Sequence, residues 1–321
     1  MLTANLADKI LFEPILQGAD TLNIIAGSAA PTMASWYLTS LHEMRDKNRN
    51  LPITHVHLIV GRTAITGLPS SVHSEFRELS SGNNNFKDSF SCSYVYGFPA
   101  IRSNLYVWLE KNDPVKAFMG SAPFEQSAFL PSNVQDAVQE VDPKEAYKYY
   151  SEIEGRTIYC THAEVENNVR INAREYSPQE EVASGNDSET VTLSLLTKKG
   201  VIGIHSGLNW GQRETRNPNQ AYIPVPAEIV RKEFFPNNKR HFTVLTDDHK
   251  SLIVRLEQAN DKALTTPLNN ALLGEYFRNR LGLPNGQFVT KEDLQKYGRT
   301  TVDFTRIDEE QYYMDFTQHV R

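Results

Sequence analysis

The sequence predicts an α/β domain followed by a mostly-β domain, and three observations support this prediction. In the first half of the 321-residue chain, short apolar runs alternate with helix-like patterns, which is typical of α/β domains. Residues 176–190 are polar and acidic and contain Pro, Gly and Ser, a composition typical of linkers. Beyond them, six short apolar runs follow at close spacing with short turns between them. We therefore expect domains at residues 1–175 and 191–321, joined by a linker at 176–190.

The first domain is predicted to alternate helices with strands. Residues 7–19 have a helical pattern, Pro31 begins a long second helix, and a third is expected near residues 70–80. A fourth helix should start at Asp142 and run towards Glu154, because an N-cap aspartate is followed by proline and then by an acid at the third helical position. The strands are expected at residues 21–27, 53–61, 89–97, 103–110 and 115–120.

The second domain is predicted to be a small barrel or sandwich. Its apolar runs are short and bounded by turn-forming residues, which is typical of both architectures. One helix, from about Leu268 to Leu281, interrupts the strands. The strands are expected at residues 190–196, 221–226, 241–247, 251–258, 301–307 and 312–317.

The segment NWGQRETRNPNQAYIPVP, from Asn209 to Pro226, joins a dense set of polar side chains to a predicted edge strand. Amide and guanidinium groups form bidentate hydrogen bonds with adenine and guanine edges in the major groove. The alternating apolar residues and two prolines of AYIPVP favour an edge strand that holds the segment rigidly. We interpret the segment as a DNA-reading arm, with a polar surface loop as the alternative. The residues predicted to contact DNA are Asn209, Trp210, Gln212, Arg213, Arg216, Asn217 and Asn219.

The charge distribution favours a nucleic-acid partner for the second domain. The chain has a formal net charge of −6, and residues 1–190 contain 15 Lys and Arg against 24 Asp and Glu. Residues 191–302, in contrast, contain 16 basic against 10 acidic residues. A basic region in an acidic chain is a recognised indication of nucleic-acid binding, whereas the first domain as a whole should repel DNA.

Other classes of protein are disfavoured by the sequence. The chain has no apolar run of about 18 residues and no signal-peptide pattern at its start, so we expect a cytoplasmic protein without membrane contact. Cys92 and Cys160 are far apart in sequence and are expected to be buried free thiols. His55 and His57 share a strand face, where a packed pair is favoured over metal ligands because no Cys or carboxylate pattern accompanies them.

Several longer motifs resemble those of a known family. The second half contains GLNWGQR, RNPNQAYIPVP, FTVLTDDHKS, TTPLNNALLGEYFRNRLGL and DLQKYGRTTVDF, and the first half contains IRSNLYVW and AFMGSAPF. On these motifs, nearly the whole chain resembles the NgoFVII family of restriction endonucleases. That family is similar to BfiI in joining an amino-terminal phospholipase D-like nuclease domain to a DNA-binding pseudobarrel of the plant B3 type. The resemblance therefore implies an α/β phospholipase D-like domain followed by a mostly-β, B3-like pseudobarrel.

The resemblance also implies two arms that grip the major groove from opposite sides. The polar segment at 209–219 would supply the first arm. Residues 266–280 would supply or support the second, with a capped helix that exposes a solvated polar face as the alternative. The donors in this second stretch are Thr266, Asn269, Asn270, Arg278, Asn279 and Arg280.

By the same resemblance, a phospholipase D-type nuclease needs a His-x-Lys pair and a later Gly-Ser-x-Asn motif. The histidine attacks phosphorus, the lysine and asparagine hold phosphate oxygens, and no metal is required. In this chain Arg102 stands at the histidine position, Asn104 at the lysine position and Pro123 at the asparagine position, beside Ser121. A guanidinium stays protonated and cannot attack phosphorus, and proline has no side-chain donor. The nuclease site is therefore predicted to be degenerate.

Two questions about this site stay open in the sequence. The acid that follows the Gly-Ser motif in the family is either Asp136 or Glu140, since spacing alone does not choose between them. His162 and Glu164 are the nearby groups that another mechanism would use, although a structural role is favoured for His162.

Two functions from different classes follow. In the first, the chain is a subunit of a bacterial restriction endonuclease that recognises a short, GC-rich double-stranded DNA site, and cleavage comes from this chain in a variant form or from a partner. In the second, it is a catalytically inactive, sequence-specific DNA-binding protein. The resemblance implies a homodimer formed by the amino-terminal domain, a helicase-like ATPase subunit and a companion DNA methyltransferase. The chain has no Walker A motif, so ATP and magnesium would act only through the separate ATPase.

Overall fold

In a computed structural model, the chain forms two compact units, Met1–Arg174 and Glu175–Arg321. The structure describes residues 1–81, 89–130, 136–172, 189–267 and 269–318. The predicted linker at 176–190 lies outside the described residues except for its last two positions. Across the described ranges, no helix is long and apolar enough to cross a membrane.

The amino-terminal unit is built on a mixed seven-stranded sheet. The strands of this unit are β1 (Thr21–Ala26), β2 (His55–Val60), β3 (Leu68–Pro69), β4 (Phe90–Val95), β5 (Asn104–Glu110), β6 (Asp113–Gly120), β7 (Val138–Val141), β8 (Thr157–Tyr159) and β9 (Ile171–Asn172). The order in the sheet is β7-β6-β5-β1-β2-β4-β8, and β3 pairs with β9 separately. Strands β1, β2 and β4 are parallel, whereas the other neighbours in the sheet are antiparallel. The five predicted strands are confirmed.

The helices of this unit cover the sheet. They are a π-helical turn (Ala7–Phe12) and α-helices at Glu13–Leu16, Pro31–Lys47, Thr63–Thr66, Ser70–Ser80, Gln126–Phe129, Pro143–Glu154 and Val165–Asn168. The predicted start at Asp142 is confirmed, because its carboxylate accepts hydrogen bonds from the backbone N–H groups of Lys144 and Glu145, both at 2.9 Å. An aspartate N-cap satisfies donors that would otherwise lack partners in the first helical turn.

Buried side chains on both faces join these layers. On one face, Ile25 and Val107 belong to a core that includes Tyr150 and Ile153 of the helix Pro143–Glu154. Elsewhere, the indole N–H of the fully buried Trp108 donates to the carbonyl of Ile10 at 2.7 Å. Strands in a sheet that is covered on both faces are typically apolar along most of their length. This explains why apolar runs in the sequence predicted these strands.

The carboxy-terminal unit is a nearly closed barrel. Its strands are β10 (Thr190–Ser194), β11 (Ile223–Pro224), β12 (His241–Thr246), β13 (Ser251–Glu257), β14 (Ala263–Thr265), β15 (Thr301–Arg306) and β16 (Gln311–Asp315). They form one seven-stranded sheet in the order β10-β15-β16-β12-β13-β14-β11, and the two outer strands, β10 and β11, approach each other. The predicted AYIPVP strand is confirmed at an edge, although only Ile223–Pro224 pairs.

Aromatic rings fill the barrel, and helices pack beside it. Phe234, Phe235, Phe242 and Tyr312 pack with ring centroids between 4.7 and 5.5 Å apart. The helical segments are a 3-10 turn (Gly207–Asn209) and helices at Ala227–Arg231, Leu272–Leu281 and Lys291–Tyr297. The sequence predicted the helix Leu272–Leu281 a few residues too long at its start and missed the helix Lys291–Tyr297.

Candidate active site and nucleic-acid interface

The nuclease-like motifs meet where three strands of the amino-terminal sheet begin or end. Asn104, the first residue of β5, is only 7% exposed. Its Oδ1 accepts from the backbone N–H of Gly27, after β1, at 2.9 Å. Its Nδ2 donates to the carbonyls of Ser121 at 2.9 Å and Gly120 at 3.4 Å, at the end of β6. Because both ends of the amide are bonded to backbone, Asn104 is a structural clamp between these strand ends.

Arg102 lies two residues before β5, and its side chain is exposed. Its backbone packs against Gly27 so closely that a Cβ on that glycine would lie 2.9 Å from the Arg102 carbonyl oxygen. The backbone is thus held firmly while the guanidinium points into solvent. A guanidinium at this position can bind a phosphate oxygen, but it cannot act as the nucleophile.

Ser121 is joined to an acid that the sequence left undecided. Its Oγ donates to Oδ1 of Asp136 at 2.6 Å and accepts from the N–H of Ala137 at 3.0 Å. Glu140 instead lies exposed on β7, 4.0 Å from the Lys116 ammonium. The structure therefore places Asp136, not Glu140, beside the Gly-Ser motif.

Pro123 lies in the loop after β6, and its predicted correspondence to the family's asparagine stays a prediction. The residue after it, Phe124, donates its N–H to the Ser28 carbonyl at 3.3 Å, and its carbonyl accepts from Ala30 N–H at 3.0 Å. These backbone hydrogen bonds add to the Asn104 amide in fixing the loop after β6 to the loop after β1. Pro123 itself contributes no side-chain donor.

Three histidines of this unit take part in local contacts. Nδ1 of His57 lies 2.8 Å from Ser91 Oγ, and Nδ1 of His73 lies 3.1 Å from the Tyr94 hydroxyl. Burial lowers the pKa of both imidazoles. His162 is exposed and accepts from a backbone N–H two residues later at 3.1 Å, which is a turn contact. These contacts favour structural roles for all three.

The two cysteines also match their prediction. Cys92 on β4 and Cys160, the residue after β8, are buried free thiols, and the Cys160 N–H donates to the Cys92 carbonyl at 2.9 Å. Burial raises the pKa of the Cys92 thiol, so it stays protonated. Among the described residues, no group of three or more His, Cys, Asp or Glu side chains could hold a metal ion.

In the carboxy-terminal unit, the predicted arm is an exposed loop between the 3-10 turn Gly207–Asn209 and β11. Arg216 stacks over the indole of Trp210, with its guanidinium carbon 4.4 Å from the ring centroid. Arg213 donates from Nη2 to the carbonyl of His205 at 2.7 Å. Between the two arginines, Thr215 has φ of 70°, a left-handed conformation that is rare for a β-branched residue. The loop therefore turns at Thr215 with an exposed arginine on each side of the turn in sequence.

Three residues predicted to contact DNA are instead buried, as is the predicted donor Thr266, whose hydroxyl donates to the Asn269 carbonyl at 2.7 Å. Asn209 is fully buried; its Nδ2 donates to the Val289 carbonyl at 2.8 Å and its Oδ1 accepts from the Val289 N–H at 2.9 Å. Arg278 is also fully buried and donates to four backbone carbonyls. Asn219, 7% exposed, donates to Glu275 at 3.2 Å. The prediction for these three residues is wrong, because their polar groups are used inside the fold.

Arg280 is likewise a structural residue. Its guanidinium forms a bidentate pair with Asp247, with Nη1–Oδ1 at 2.8 Å and Nη2–Oδ2 at 2.6 Å. It also donates to the hydroxyls of Tyr276 and Tyr297 and to the carbonyl of Phe316. The assignment of Arg280 as a DNA contact is therefore corrected: this guanidinium joins the helix Leu272–Leu281 to the turn after β12.

The remaining DNA contacts stay predictions. Arg213, Arg216 and Asn217 are exposed, whereas Trp210 and Gln212 are partly buried. In the second stretch, Asn269 and Asn270 are partly buried, and Oδ1 of Asn269 accepts from the N–H of Ala271 at 3.0 Å. This is a turn contact before the helix Leu272–Leu281, whose N-cap residue, Ala271, forms no side-chain capping hydrogen bond.

Comparison with known proteins matches the two units to two domains of one family. Residues 4–167 match the NgoFVII restriction endonuclease N-terminal PLD domain, and residues 183–308 match the NgoFVII C-terminal B3-like DNA-binding domain. The chain is thus a phospholipase D-type domain joined to a B3-like DNA-binding domain. It belongs to the NgoFVII family of restriction endonucleases, and the expected resemblance is confirmed.

Solved structures show only distant likeness. Nuc from Salmonella typhimurium, a phospholipase D family member, is 15% identical with a TM-score of 0.33, covering 48% of this chain and 90% of Nuc. A hypothetical protein from Arabidopsis thaliana is 12% identical with a TM-score of 0.23, covering 42% of this chain and 95% of that protein. No curated protein matches the chain.

Replacing Asn209 with alanine should destabilise the carboxy-terminal unit without removing an exposed DNA contact. The substitution leaves the N–H and carbonyl of Val289 buried without their side-chain partner, at a cost of about 2–5 kcal/mol. We expect a lower denaturant midpoint for the full chain and faster hydrogen exchange at the Val289 amide. The control is Asn279→Ala, which removes an exposed amide of the same unit. Equal stability of the two variants would contradict the structural role of Asn209.

Proposed function

We propose that this chain is the DNA-recognition subunit of a bacterial restriction endonuclease, that it binds a short, GC-rich double-stranded site, and that it does not cut DNA by itself. The observation that carries the recognition part is the pair of exposed arginines, Arg213 and Arg216, on a loop held by side-chain contacts. Arginine binds the O6 and N7 atoms of guanine bidentately, and this is the commonest base-specific contact in the major groove.

The loop that carries these arginines is well suited to recognition because it is held in place before DNA arrives. Stacking on Trp210 restricts Arg216, and the His205 carbonyl restricts Arg213. Trp210 itself packs edge-on against Tyr222, with ring centroids 5.9 Å apart. A side chain already ordered in the free protein loses less conformational entropy on binding, which leaves more of the contact energy for discrimination between bases.

The lack of cleavage follows from the chemistry at the strand ends. Hydrolysis by the family's route needs a nucleophilic histidine, a lysine and an asparagine that hold phosphate oxygens. Arg102 cannot attack phosphorus, and Pro123 has no side-chain donor. The side-chain amide of Asn104 is hydrogen-bonded to three backbone groups. We therefore assign this centre a role in phosphate binding at most.

The arrangement of the strand ends supports a second function, which is cleavage together with a partner subunit. The contact from Ser121 to Asp136 and the tight packing at Gly27 and Gly120 keep the strand ends in a compact arrangement with the exposed Arg102 beside them. In this alternative, the chain contributes Arg102 to cleavage that requires a partner subunit. The partners would be a helicase-like ATPase that supplies ATP and magnesium chemistry, with a companion methyltransferase protecting host DNA in the cytoplasm.

We expect the unaltered chain to leave supercoiled plasmid intact in EDTA. The reason is that positions 102, 104 and 123 lack the nucleophile, the lysine and the amide. Gel analysis of nicked and linear products checks this expectation. Robust cleavage in EDTA would contradict it, and cleavage only after addition of an ATPase partner would favour the second function.

Restoring the family residues should restore metal-independent cleavage only when all three are changed together. Nucleophile and phosphate-binding groups act as a unit, so Arg102→His alone should give no product, whereas Arg102→His with Asn104→Lys and Pro123→Asn should nick plasmid in EDTA. A trapped phosphohistidine adduct is the stronger readout. Because Asn104→Lys removes the clamp to Gly27, unfolding is measured in parallel. A folded triple variant that does not cut would show that other parts of the centre have also changed.

Arg213→Ala tests recognition. Selection of bound sequences from a random duplex pool should give a GC-containing site with the unaltered chain. Loss of one bidentate guanine contact should then weaken binding to that site by about 1–3 kcal/mol and broaden the preference at one base pair. Equal weakening on all sequences would make Arg213 a phosphate contact. Unchanged affinity and preference would show that the arm is assigned wrongly.

We also propose that the amino-terminal unit forms a homodimer, as the family's two-fold nuclease cleft implies. The full chain has a mass of 36.4 kDa, so light scattering at micromolar concentration should give about twice this value. A monomer under these conditions would contradict the proposal. This measurement is independent of DNA binding and cleavage.

A further inference from the structure

A turn at residues 284–287 lies against the arm, although sequence reasoning gave it no role. The N–H of Gln287 donates to the Pro284 carbonyl at 3.1 Å, and Gly286 between them has φ of 80°. The side chains of Asn285 and Gln287 are exposed. No hydrogen bond to either side chain is formed within the described residues. The turn therefore presents two amide groups to solvent, each with its donors and acceptor available.

Arm residues bind both backbone polar groups of Gly286. Nε2 of Gln212 donates to the Gly286 carbonyl at 2.9 Å, and Oδ1 of Asn219 accepts from the Gly286 N–H at 2.6 Å. A Cβ at Gly286 would lie 3.1 Å from Pro218 Cγ, and its positive φ disfavours other residues. The turn and the arm thus approach each other as closely as a glycine permits.

Two fully buried side chains fix the same turn from inside. Nε of Arg278 donates to the Gln287 carbonyl at 2.7 Å, while its Nη2 donates to the Pro218 carbonyl of the arm at 3.1 Å. Asn209 binds both backbone groups of Val289, two residues beyond the turn. Hydrogen bonds from the side chains of Asn209, Gln212, Asn219 and Arg278 therefore hold the arm and the turn together.

We propose that the turn Pro284–Gln287 is a further base-reading element, in which one of its two exposed amides, that of Asn285 or that of Gln287, reads an adenine next to the guanines read by Arg213 and Arg216. Asparagine and glutamine amides bond bidentately to N6 and N7 of adenine. The inference rests on the proposed function, because it requires the arm to face DNA. It deepens that function by naming a second segment and a second base within the recognised site.

The test compares two variants of the full chain. The site is first selected with the unaltered chain from a random duplex pool. Asn285→Ala with Gln287→Ala should then bind that site roughly 5- to 150-fold more weakly, as expected for loss of one bidentate base contact, and should lose its preference at an A·T pair. Thermal unfolding should not change, since both side chains are exposed. The control is Gln295→Ala, which removes an exposed amide from the helix Lys291–Tyr297 and should leave site and affinity unchanged.

The outcomes separate this inference from the function on which it rests. If the unaltered chain selects a sequence and the double variant selects the same one with equal affinity, the turn is not a reading element, while the proposed function stands. If the double variant weakens all sequences equally, its amides contact phosphates and base reading is excluded. If the unaltered chain selects no sequence, the proposed function fails and this inference fails with it.

Discussion

The buried guanidinium of Arg278 is the contact on which the whole recognition surface depends. Its four hydrogen bonds reach the carbonyls of Leu208, Gly274, Pro218 and Gln287. Taking a cation out of water is costly unless its donors are satisfied, and burial lowers the pKa of this group. Charge-assisted bonds to carbonyls offset that cost, and they do so only while the segment at residues 208–218 and the turn at residues 284–287 both stay in place. The arrangement therefore makes the loops cooperative, because displacing any one of them leaves a buried N–H without a partner.

A similar device operates in the amino-terminal unit with a neutral side chain. Asn104 joins the loop after β1 to the end of β6, so the strand ends are held together without a charged group. A lysine there would lack an acceptor for the Gly27 N–H, whereas asparagine offers both a donor and an acceptor. The prediction that Asn104 stands at the family's lysine position would make this residue a structural replacement for a phosphate-binding group.

The sequence predicted the sheets far better than it predicted which polar residues are exposed. Apolar periodicity fixes the inward face of a strand, so β1, β2, β5 and β12 were readable. In the irregular arm no periodicity exists, and Asn209 and Arg213 look equally polar although one is buried and the other exposed.

Two features were missed although they carry local signals. Thr290 and Asp293 form a capping box that begins the helix Lys291–Tyr297. The Pro-Asn-Gly sequence at 284–286 is a turn signal. What no local signal could show is that this turn packs against a segment more than 60 residues earlier in the chain. That pairing depends on tertiary contacts of Asn219 and Gln212, and it is visible only once the loops are folded.

The division between buried and exposed polar groups has a consequence for how the proposed recognition surface could change its target. Substituting Arg213, Arg216, Asn285 or Gln287 alters groups that face solvent, so the fold should tolerate such changes. Substituting Asn209 or Arg278 removes partners from buried backbone groups, which costs stability before it affects recognition. A surface built on a fixed inner network can therefore acquire a new base preference by changes in its outer layer alone. The polar residues of the arm thus include both kinds of side chain. The buried ones hold the exposed ones in place, and a recognition surface needs such support to discriminate between bases.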